Sequence, residues 1–335
     1  MDRKITIIDV AEKAGVSRQT ISRVLNNQGD VNEQTRKRVL RIIEELGYQP
    51  SIQARSMVTR KTNTIALLIP DITNPFFSEI VRGIERTVRA TQMNVLLFST
   101  DEDVSREVSC IQLAYNYNVD GIILCSPRLD EVNLRKLISG KRPVVLVNKE
   151  IHEMEGVYSI LVDAQAGEYT AAKYLLDQGH RRIGILVGPS HADSSIKRLN
   201  GYKLALTEYG IPVDEDLIVH VDNRNETIHE NAQQLIKRNV TAILAYNDMI
   251  AAKLIQSCTE LGLEVPKDIS VIGFDGIPIS RLVNPRLTTM ELPLYEMGET
   301  IANTLMKMLS GQEIHNKLTT VLPLLKTGQS TRAIK

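Results

Sequence analysis

The residues with the clearest chemical potential in this chain form a short polar group near its start. Arg18, Gln19 and Thr20 are consecutive, and Arg23 follows three residues later. Arginine forms paired hydrogen bonds with guanine, glutamine forms them with adenine, and hydroxyl groups suit phosphates or bases. The paired contacts use base edges that are exposed in the major groove of DNA. The group can therefore read bases only if an element of suitable size carries it into that groove.

The residues around this group predict two short helices joined by a tight turn. Apolar residues recur at helical spacing on both sides of Gly15. They are Ile8, Ala11 and Ala14 before it, and Ile21, Val24 and Leu25 after it. Gly15 adopts the positive φ of a tight reversal without a Cβ penalty, and the Ser17 hydroxyl can cap the second helix. This pattern is typical of a helix-turn-helix, whose second helix enters the major groove with its first residues towards the bases.

A third amphipathic helix is expected after a polar loop. Asn32 is suited to cap it and Gly47 to end it, and the apolar positions between them are Val39, Ile42, Ile43 and Leu46. A small helical bundle with a solvated basic face is the alternative, because such patterns also occur by chance. Charge favours nucleic acid: residues 1–61 hold 12 Lys and Arg against 7 Asp and Glu, whereas the rest hold 28 against 33. A chain that is neutral overall thus has a positive head and a negative body.

Composition and length describe a multidomain globular chain. Its 335 residues suggest about two or three domains, and 43% apolar with 24% charged residues is typical of globular proteins. The first residues lack the pattern of a signal peptide, and no apolar run approaches the ~18 residues of a membrane span. We therefore expect a cytoplasmic protein without a membrane partner. Cys110, Cys125 and Cys258 are odd in number and widely spaced, so neither a disulfide framework nor a zinc site is indicated.

From Thr64 onwards, short apolar runs alternate with helical stretches. The runs are TIALLIP, NVLLFST, GIILCS, PVVLVN and SILVDA, followed by RIGILVG, LIVHVD, AILAYN and DISVIGFD. Runs rich in Ile, Val and Leu are typical of strands covered on both faces. Their alternation with helices predicts right-handed βαβ units and parallel sheets, in two series and therefore in two α/β lobes.

The sequence carries almost no sign of a catalytic motif. The sequence contains no GxGxxG, GxxxxGK[ST], HExxH or GxSxG pattern, and no His is spaced with Cys or another His as metal ligands are. We therefore expect no catalytic residue, metal or cofactor. His180 precedes a predicted strand, where a structural role is the favoured interpretation.

Polar residues follow several of the predicted strands, where ligands of open α/β sheets bind. They are Asp71, Ser99, Asn148, Asn247 and Asp275. Each alone could simply start a turn or cap a helix, which is common for Asn and Asp. As a set they indicate one cleft between the lobes. Phe76, Phe77 and Phe274 are candidates for an aromatic platform there, since the chain has no Trp.

Several of these segments together resemble one known family. TIIDVAEKAGVSRQTISRVLNN, VNEQTRKRVLRIIEELGYQP and ARSM closely resemble the head of the lactose-repressor/galactose-repressor family of bacterial transcription regulators. The resemblance continues through DITNPFFSEIVRGIE, RLNGY, YNDMIA, VIGFD and PRLTTM, and so covers nearly the whole chain. It implies an N-terminal three-helix helix-turn-helix domain plus hinge helix, followed by a two-lobe α/β periplasmic-binding-protein-like core with parallel sheets. The chain would cross between the lobes three times, and the helix LYEMGETIANTLMKML would return to the first lobe.

The implied domains divide the chain as follows. The helix-turn-helix domain takes residues 1–50 and the hinge or linker 51–61. The first lobe of the effector core takes 62–162 and 292–321, and the second takes 163–291 and 322–330. Residues 51–59 are too few for a stable isolated helix, so the free protein should have a flexible linker there. In the family this segment folds on DNA, and Met57 then holds the position of an apolar wedge in the minor groove, with Ala54 beside it.

The resemblance and the residue chemistry together give two candidate sites. Arg18 and Gln19 are expected to read bases, and Thr6, Thr20, Asn26 and Asn32 mainly to hold phosphates. The full set of candidate DNA contacts is Thr6, Ile7, Ser17, Arg18, Gln19, Thr20, Ser22, Arg23, Asn26, Asn32, Ala54 and Met57. The candidate effector contacts are Asp71, Phe76, Phe77, Ser99, Asn148, Arg198, Asn247, Phe274 and Asp275.

Two departures from the family pattern leave the effector open. Asn148 stands where Asp is common, and Gly276 stands where a second acid often follows Asp275. In the family, Arg198 of RLNGY grips ligand hydroxyls or an anionic group, so a sugar or related metabolite is expected.

The sequence thus favours a DNA-binding transcriptional regulator that acts as a repressor and is controlled by a small-molecule effector. Its expected partners are a pseudo-palindromic double-stranded DNA operator and a second copy in a homodimer, since no leucine heptads indicate a tetramer. A two-lobe solute-binding protein for transport is the alternative, and a metabolic enzyme is a third possibility that no motif supports. Neither alternative accounts for the basic N-terminal helices.

Overall fold

The computed structural model describes residues 5–25, 29, 31–48, 61–140, 142–190, 192–221 and 227–334. Its contacts divide the chain into two units, Met1–Thr62 and Asn63–Lys335. Three of the predicted DNA contacts, Asn26, Ala54 and Met57, lie outside the described residues.

The first unit contains the predicted helix-turn-helix. Its helices are α1 (Ile7–Ala14), α2 (Arg18–Leu25) and α3 (Glu33–Leu46). Gly15 and Gly47 end α1 and α3 with φ of 62° and 60°, in the left-handed region that glycine tolerates. Asn32 caps α3 by accepting a hydrogen bond from the Gln34 backbone N at 2.8 Å. The local signals in the sequence are therefore confirmed.

One face of each of these helices packs into a small common core. Its buried members are Val10, Ala11, Ala14, Ile21, Val24, Val39 and Ile42. An ion pair of 3.2 Å between Lys13 and Glu45 also links α1 to α3. The prediction that Ile8 faces this core is wrong, because 47% of its surface is exposed. At 3.6 residues per turn, Ile8 lies about 110° from the centre of the face formed by Val10, Ala11 and Ala14.

The described residues of the second unit form two six-stranded sheets. The first sheet is formed by β1 (Thr64–Ile69), β2 (Asn94–Ser99), β3 (Gly121–Cys125), β4 (Val144–Val147), β5 (Val157–Val162) and β11 (Leu318–Val321). Its order is β11-β5-β4-β3-β1-β2, and all its pairs are parallel. Strands β3, β4 and β5 are buried along their length, as their apolar runs predict.

The second sheet repeats this plan with one reversed strand. It is formed by β6 (Ile183–Val187), β7 (Ile218–His220), β8 (Ala242–Ala245), β9 (Ser270–Asp275), β10 (Thr288–Glu291) and β12 (Leu324–Lys326). Its order is β12-β10-β9-β8-β6-β7. Among the described strand pairs, β12 runs antiparallel to β10 and the others are parallel. The predicted two-lobe α/β architecture is confirmed.

Helices connect these strands, and the chain passes three times from one sheet to the other. Beside the first sheet are α4 (Pro75–Arg89), α5 (Val104–Asn116), α6 (Glu131–Ile138) and α12 (Leu294–Leu309). Beside the second are α7 (Ala164–Asp177), α8 (Asp193–Glu208), α9 (Ile228–Lys237), α10 (Asp248–Glu260) and α11 (Ile279–Leu282). The passages follow β5, β10 and β11.

Helices α4 and α12 approach so closely that only glycine fits between them. A Cβ added at Gly298 would lie 2.2 Å from the Ile80 carbonyl oxygen, and one at Gly83 would lie 2.2 Å from that of Tyr295. Real Cβ contacts of this kind are essentially never seen, so both positions require a hydrogen side chain. This contact fixes α4, whose first turn carries Phe76 and Phe77.

His180 has the structural role that the sequence favours. Its side chain is buried, with Nδ1 2.9 Å from Thr241 Oγ1 and Nε2 3.0 Å from the Arg332 carbonyl oxygen. Burial lowers the pKa of the imidazole. The residue thus joins the start of β6 to the C-terminal segment of the chain.

None of the helices in the described ranges is long and apolar enough to cross a membrane. Within the same ranges, no three His, Cys, Asp or Glu side chains form a group that could hold a metal ion.

Candidate DNA-reading helix and effector cavity

Helix α2 presents the predicted base-reading residues on its exposed side. Ile21 and Val24 are buried in the core of the head, whereas Arg18 and Gln19 are exposed in the first turn. The Ser17 hydroxyl accepts a hydrogen bond from the Thr20 backbone N at 3.1 Å and lies 3.0 Å from Thr20 Oγ1. This cap fixes the start of the helix, so that Arg18 and Gln19 project from a rigid turn. Ser22 and Arg23 are half-buried beside it.

Two of the residues expected to hold phosphates, Thr6 and Asn32, occupy the starts of α1 and α3. The Thr6 hydroxyl donates to Asp9 Oδ2 at 2.7 Å, and the same carboxylate oxygen accepts from the Thr6 backbone N at 2.7 Å. Because a hydroxyl has one proton, Thr6 could donate to a phosphate only by turning away from Asp9. Asn32 uses its carbonyl oxygen in the cap of α3, which leaves its amide nitrogen as the donor. Ile7 packs partly against the core.

A polar cavity that opens to solvent lies at the carboxyl ends of strands from both sheets. It is lined by Asn74, Phe76, Phe77, Glu102, Ser126, Arg128, Asn148, Ser194, Arg198, Tyr246, Asn247 and Asp275. A second cavity shares several of these residues and adds Asp193 and Lys197 to its lining. The structure thus brings together six of the predicted effector residues: Phe76, Phe77, Asn148, Arg198, Asn247 and Asp275.

The other three predicted residues line neither of these two cavities and have other partners. Asp71 accepts hydrogen bonds from the backbone N and the hydroxyl of Thr73, at 2.8 and 2.7 Å. Ser99 donates to Asp101 at 2.9 Å. The Phe274 ring is buried, and its centroid lies 3.6 Å from the guanidinium carbon of Arg198. Phe274 therefore supports Arg198 instead of forming part of the wall.

Arg198 on α8 is the most unusual side chain of the cavity. Its guanidinium lies between the rings of Phe274 and Tyr246, at 3.6 and 4.6 Å from their centroids. It donates from Nη2 to Asp275 Oδ1 at the long distance of 3.4 Å. Its Nε and Nη1 are buried without a hydrogen-bond partner among the residues that the structure describes. A buried donor left unsatisfied costs about 1–3 kcal/mol or more, so these two atoms indicate a place for ligand oxygens.

Two buried acids, Asp275 and Glu168, interact with this arginine, and a third, Asp248, interacts with Asp275. Burial raises the pKa of Asp275 to about 7, although the neighbouring Arg198 charge acts in the opposite direction. Burial has the same effect on Glu168 of α7, whose pKa is also raised to about 7 against the influence of Arg198. The pKa of Asp248 is raised well above its usual value by burial and by the Asp275 charge. The carboxyl groups of Asp275 and Glu168 beside Arg198 therefore gain or lose a proton near neutral pH.

The end of β9 is held in an unusual conformation. Asp275 has a φ of 107°, a region that side chains other than glycine rarely adopt. Asp248 holds this turn, because its carboxylate accepts from the Ile277 backbone N at 2.9 Å and from the Thr289 hydroxyl at 2.6 Å. Strain of this kind persists where the surroundings fix it, and it often marks a functional site.

Sequence reasoning missed several residues of the cavity lining, among them Ser126 and Arg128 of the first lobe. Arg128 donates from Nε to the Glu102 carboxylate, and its backbone N donates to Glu107 at 2.8 Å. Ser126 accepts from Asn148 Nδ2 at 3.1 Å. Ser126 follows β3 directly and Arg128 comes two residues later. The rule that polar residues after strands line the cleft would therefore have found them.

An ion pair joins the two lobes beside the cavity. Lys149 follows β4 of the first sheet, and its Nζ lies 3.0 Å from Asp193 Oδ2 at the start of α8. The Lys149 side chain is only 14% exposed. The pair therefore links the two walls at the point where a ligand would lie between them.

The helix-turn-helix head and the two-lobed body with a polar cavity define a class: DNA-binding proteins that carry a small-molecule site. Comparisons with known proteins agree. Residues 6–51 match the bacterial regulatory proteins of the lacI family, and residues 62–327 match the periplasmic binding proteins and sugar binding domain of the LacI family. The chain belongs to the LacI family of bacterial regulatory proteins.

Individual relatives support this assignment along the whole chain. The transcriptional regulator DegA of Bacillus subtilis is 36% identical over 299 residues, 88% of each chain. Catabolite control protein A of Priestia megaterium is 34% identical over 331 residues, which cover 98% of this chain and 99% of the relative. The solved lac repressor dimer bound to operator and the anti-inducer ONPF matches 99% of this chain and all of its own, with a TM-score of 0.86 and 25% identity. Like these relatives, the chain is a DNA-binding transcriptional regulator with an effector domain.

Proposed function

We propose that this protein is a repressor that binds a pseudo-palindromic operator as a homodimer, and that a small polyhydroxylated effector in the cavity controls this binding. The observation that carries the proposal is Arg198, which lines the cavity and whose buried Nε and Nη1 have no hydrogen-bond partner among the described residues. The protein acts in the cytoplasm, where its DNA is, and it catalyses no reaction. Residues 1–50 bind the operator and residues 51–61 form the hinge. The two lobes bind the effector.

On the DNA side, Arg18 and Gln19 read bases from the exposed first turn of α2. Their neighbours hold the backbone or flank the bases; they are Thr6, Ile7, Ser17, Thr20, Ser22, Arg23 and Asn32. Asn26 joins this set, and Ala54 and Met57 act in the minor groove, on the grounds of the family resemblance alone.

On the effector side, both lobes supply polar groups. Arg128 is compensated by Glu102 on one wall, and Arg198 by Asp275 on the other. Since each charge has a partner, the cavity suits a neutral ligand with many hydroxyls, such as a sugar or nucleoside. Phe76 and Phe77, whose rings meet edge to face with centroids 5.0 Å apart, supply its apolar side.

Closure of the lobes on the effector is the step that couples the two sites. Hinge motion between two domains around a ligand is a common transition. The hinge segments start from the first lobes of the dimer, so a change in their spacing decides whether two Met57 side chains meet in one minor groove. The effector needs to supply only the typical ~1–3 kcal/mol of coupling.

A transport protein with the same two lobes is the second candidate. The exposed Arg18 and Gln19 of the helix-turn-helix have no use in that function, so the regulator is favoured. Salt-dependent binding to a DNA duplex separates the two, because neutralised phosphates release counterions.

The Gln19→Ala substitution tests the reading of bases. An operator is first selected from random duplexes with the intact protein. The variant should lose about 1–3 kcal/mol of binding free energy and relax the preference at one position in each half-site, since a paired contact with adenine is removed. Fluorescence anisotropy with the selected operator and its single-position variants measures this. Equal weakening on the operator and on random DNA would show that Gln19 reads no base.

A further inference from the structure

Two large apolar side chains in the described part of the head are strongly exposed. They are Ile8 on α1 and Leu40 on α3, and each has 47% of its surface accessible. Single exposed apolar residues are normal and need no special explanation. The two residues differ, however, in what lies beside them.

Ile8 lies in a shallow groove formed where α1 meets the start of α2. The residues lining it are Ile8, Ala11, Glu12, Gly15, Val16, Ser17 and Arg18. Leu40 is not among them. Ile8 therefore shares a surface with Arg18, the residue at the beginning of α2 that our proposed function places against base edges.

The chemistry of the major groove offers one apolar group to such a side chain. Guanine, cytosine and adenine present only donors and acceptors there, whereas thymine also presents its C5 methyl group. Apolar contact with that methyl group is an established way to recognise thymine. An exposed isoleucine beside a base-reading arginine has the position and the chemistry to make this contact.

We infer that Ile8 is a specificity-determining residue that packs against the C5 methyl group of a thymine in each operator half-site. This rests on the proposed function, in which the first turn of α2 enters the major groove. The thymine lies next to the base that Arg18 contacts, because both side chains line one groove of the protein. Ile8 thus specifies one base position of each half-site through an apolar contact instead of a hydrogen bond.

Replacing single thymines by deoxyuridine in the selected operator tests the inference, since this change removes only the C5 methyl group. The intact wild-type protein should lose affinity about fourfold per half-site at one symmetric position, the change that burial of one methyl group brings. Ile8→Ala should lose affinity for the thymine operator and become indifferent to deoxyuridine at that position. Ile8→Val, which keeps a branched apolar contact, should retain the sensitivity.

Leu40→Ala is the matched control, since its wild-type side chain has the same exposure outside the groove. It should keep the full deoxyuridine effect. Neither substitution removes a core residue, so thermal melting should show all variants folded. An undiminished deoxyuridine effect in Ile8→Ala would overturn the inference. Wild-type protein without any sequence preference would overturn the proposed function as well, so the two failures differ.

Discussion

Replacing Arg198 with alanine is expected to weaken effector binding at least about 100-fold, while the unliganded protein keeps operator affinity within about threefold of wild type. Hydrogen bonds that involve a charged donor contribute about 1.5–3 kcal/mol each, and Arg198 has two buried donor nitrogens available. Losing both amounts to about 3–6 kcal/mol, or more than two orders of magnitude in Kd. A melting-temperature screen of sugars and nucleosides first identifies a ligand. Isothermal titration of the intact protein then measures the dissociation constant of that ligand.

Two further variants make this result specific. Arg198→Lys keeps the charge but not the planar fork of donors, so it should recover little of the affinity. Arg238→Ala removes an exposed arginine that pairs with Asp216 on the surface, and it should bind the effector like wild type. An unchanged dissociation constant for Arg198→Ala would mean that the effector site has been placed wrongly.

The second large effect is expected from Gly298→Ala, which should lower the free energy of unfolding by about 3 kcal/mol or more. The new methyl group would lie 2.2 Å from the Ile80 carbonyl oxygen, so α12 and α4 would have to move apart. Alanine is a better helix former than glycine by about 1 kcal/mol, so propensity alone would raise the stability. A loss of stability would therefore have to come from the close contact between the helices. Thermal and urea unfolding of the intact protein measure it.

Thr300→Ala on the exposed side of the same helix is its control. This substitution adds helix propensity without a close approach, so stability should stay the same or rise slightly. A Gly298→Ala protein as stable as wild type would contradict the tight contact between α4 and α12. Since α4 carries Phe76 and Phe77, a shifted α4 should also weaken effector binding.

The head of the protein could be predicted from local signals because its structure is decided by neighbouring residues. Gly15, Asn32 and Gly47 act within one or two residues of their own position, and the structure places all three as expected. The apolar spacing predicts the wrong face for Ile8, because α1 has only eight residues, too few to fix the phase of the helix.

The cavity could be predicted only in part. Asn148, Asn247 and Asp275 follow strands, so the rule for open sheets locates them. Arg198 is in the interior of a helix, and only the family resemblance pointed to it. Glu168, and the contact between Gly83 and Gly298, depend on which helices pack together, which no local pattern encodes.

Reciprocal coupling between operator and effector is the most direct test of the central claim that one cavity controls DNA binding. The operator dissociation constant of the intact protein should change at least about fivefold when the effector is saturating, the lower end of typical coupling. By linkage, saturating operator must change the dissociation constant of the effector by the same factor. Arg198→Ala should abolish the response. An effector that binds the cavity but leaves the operator constant unchanged would contradict the account.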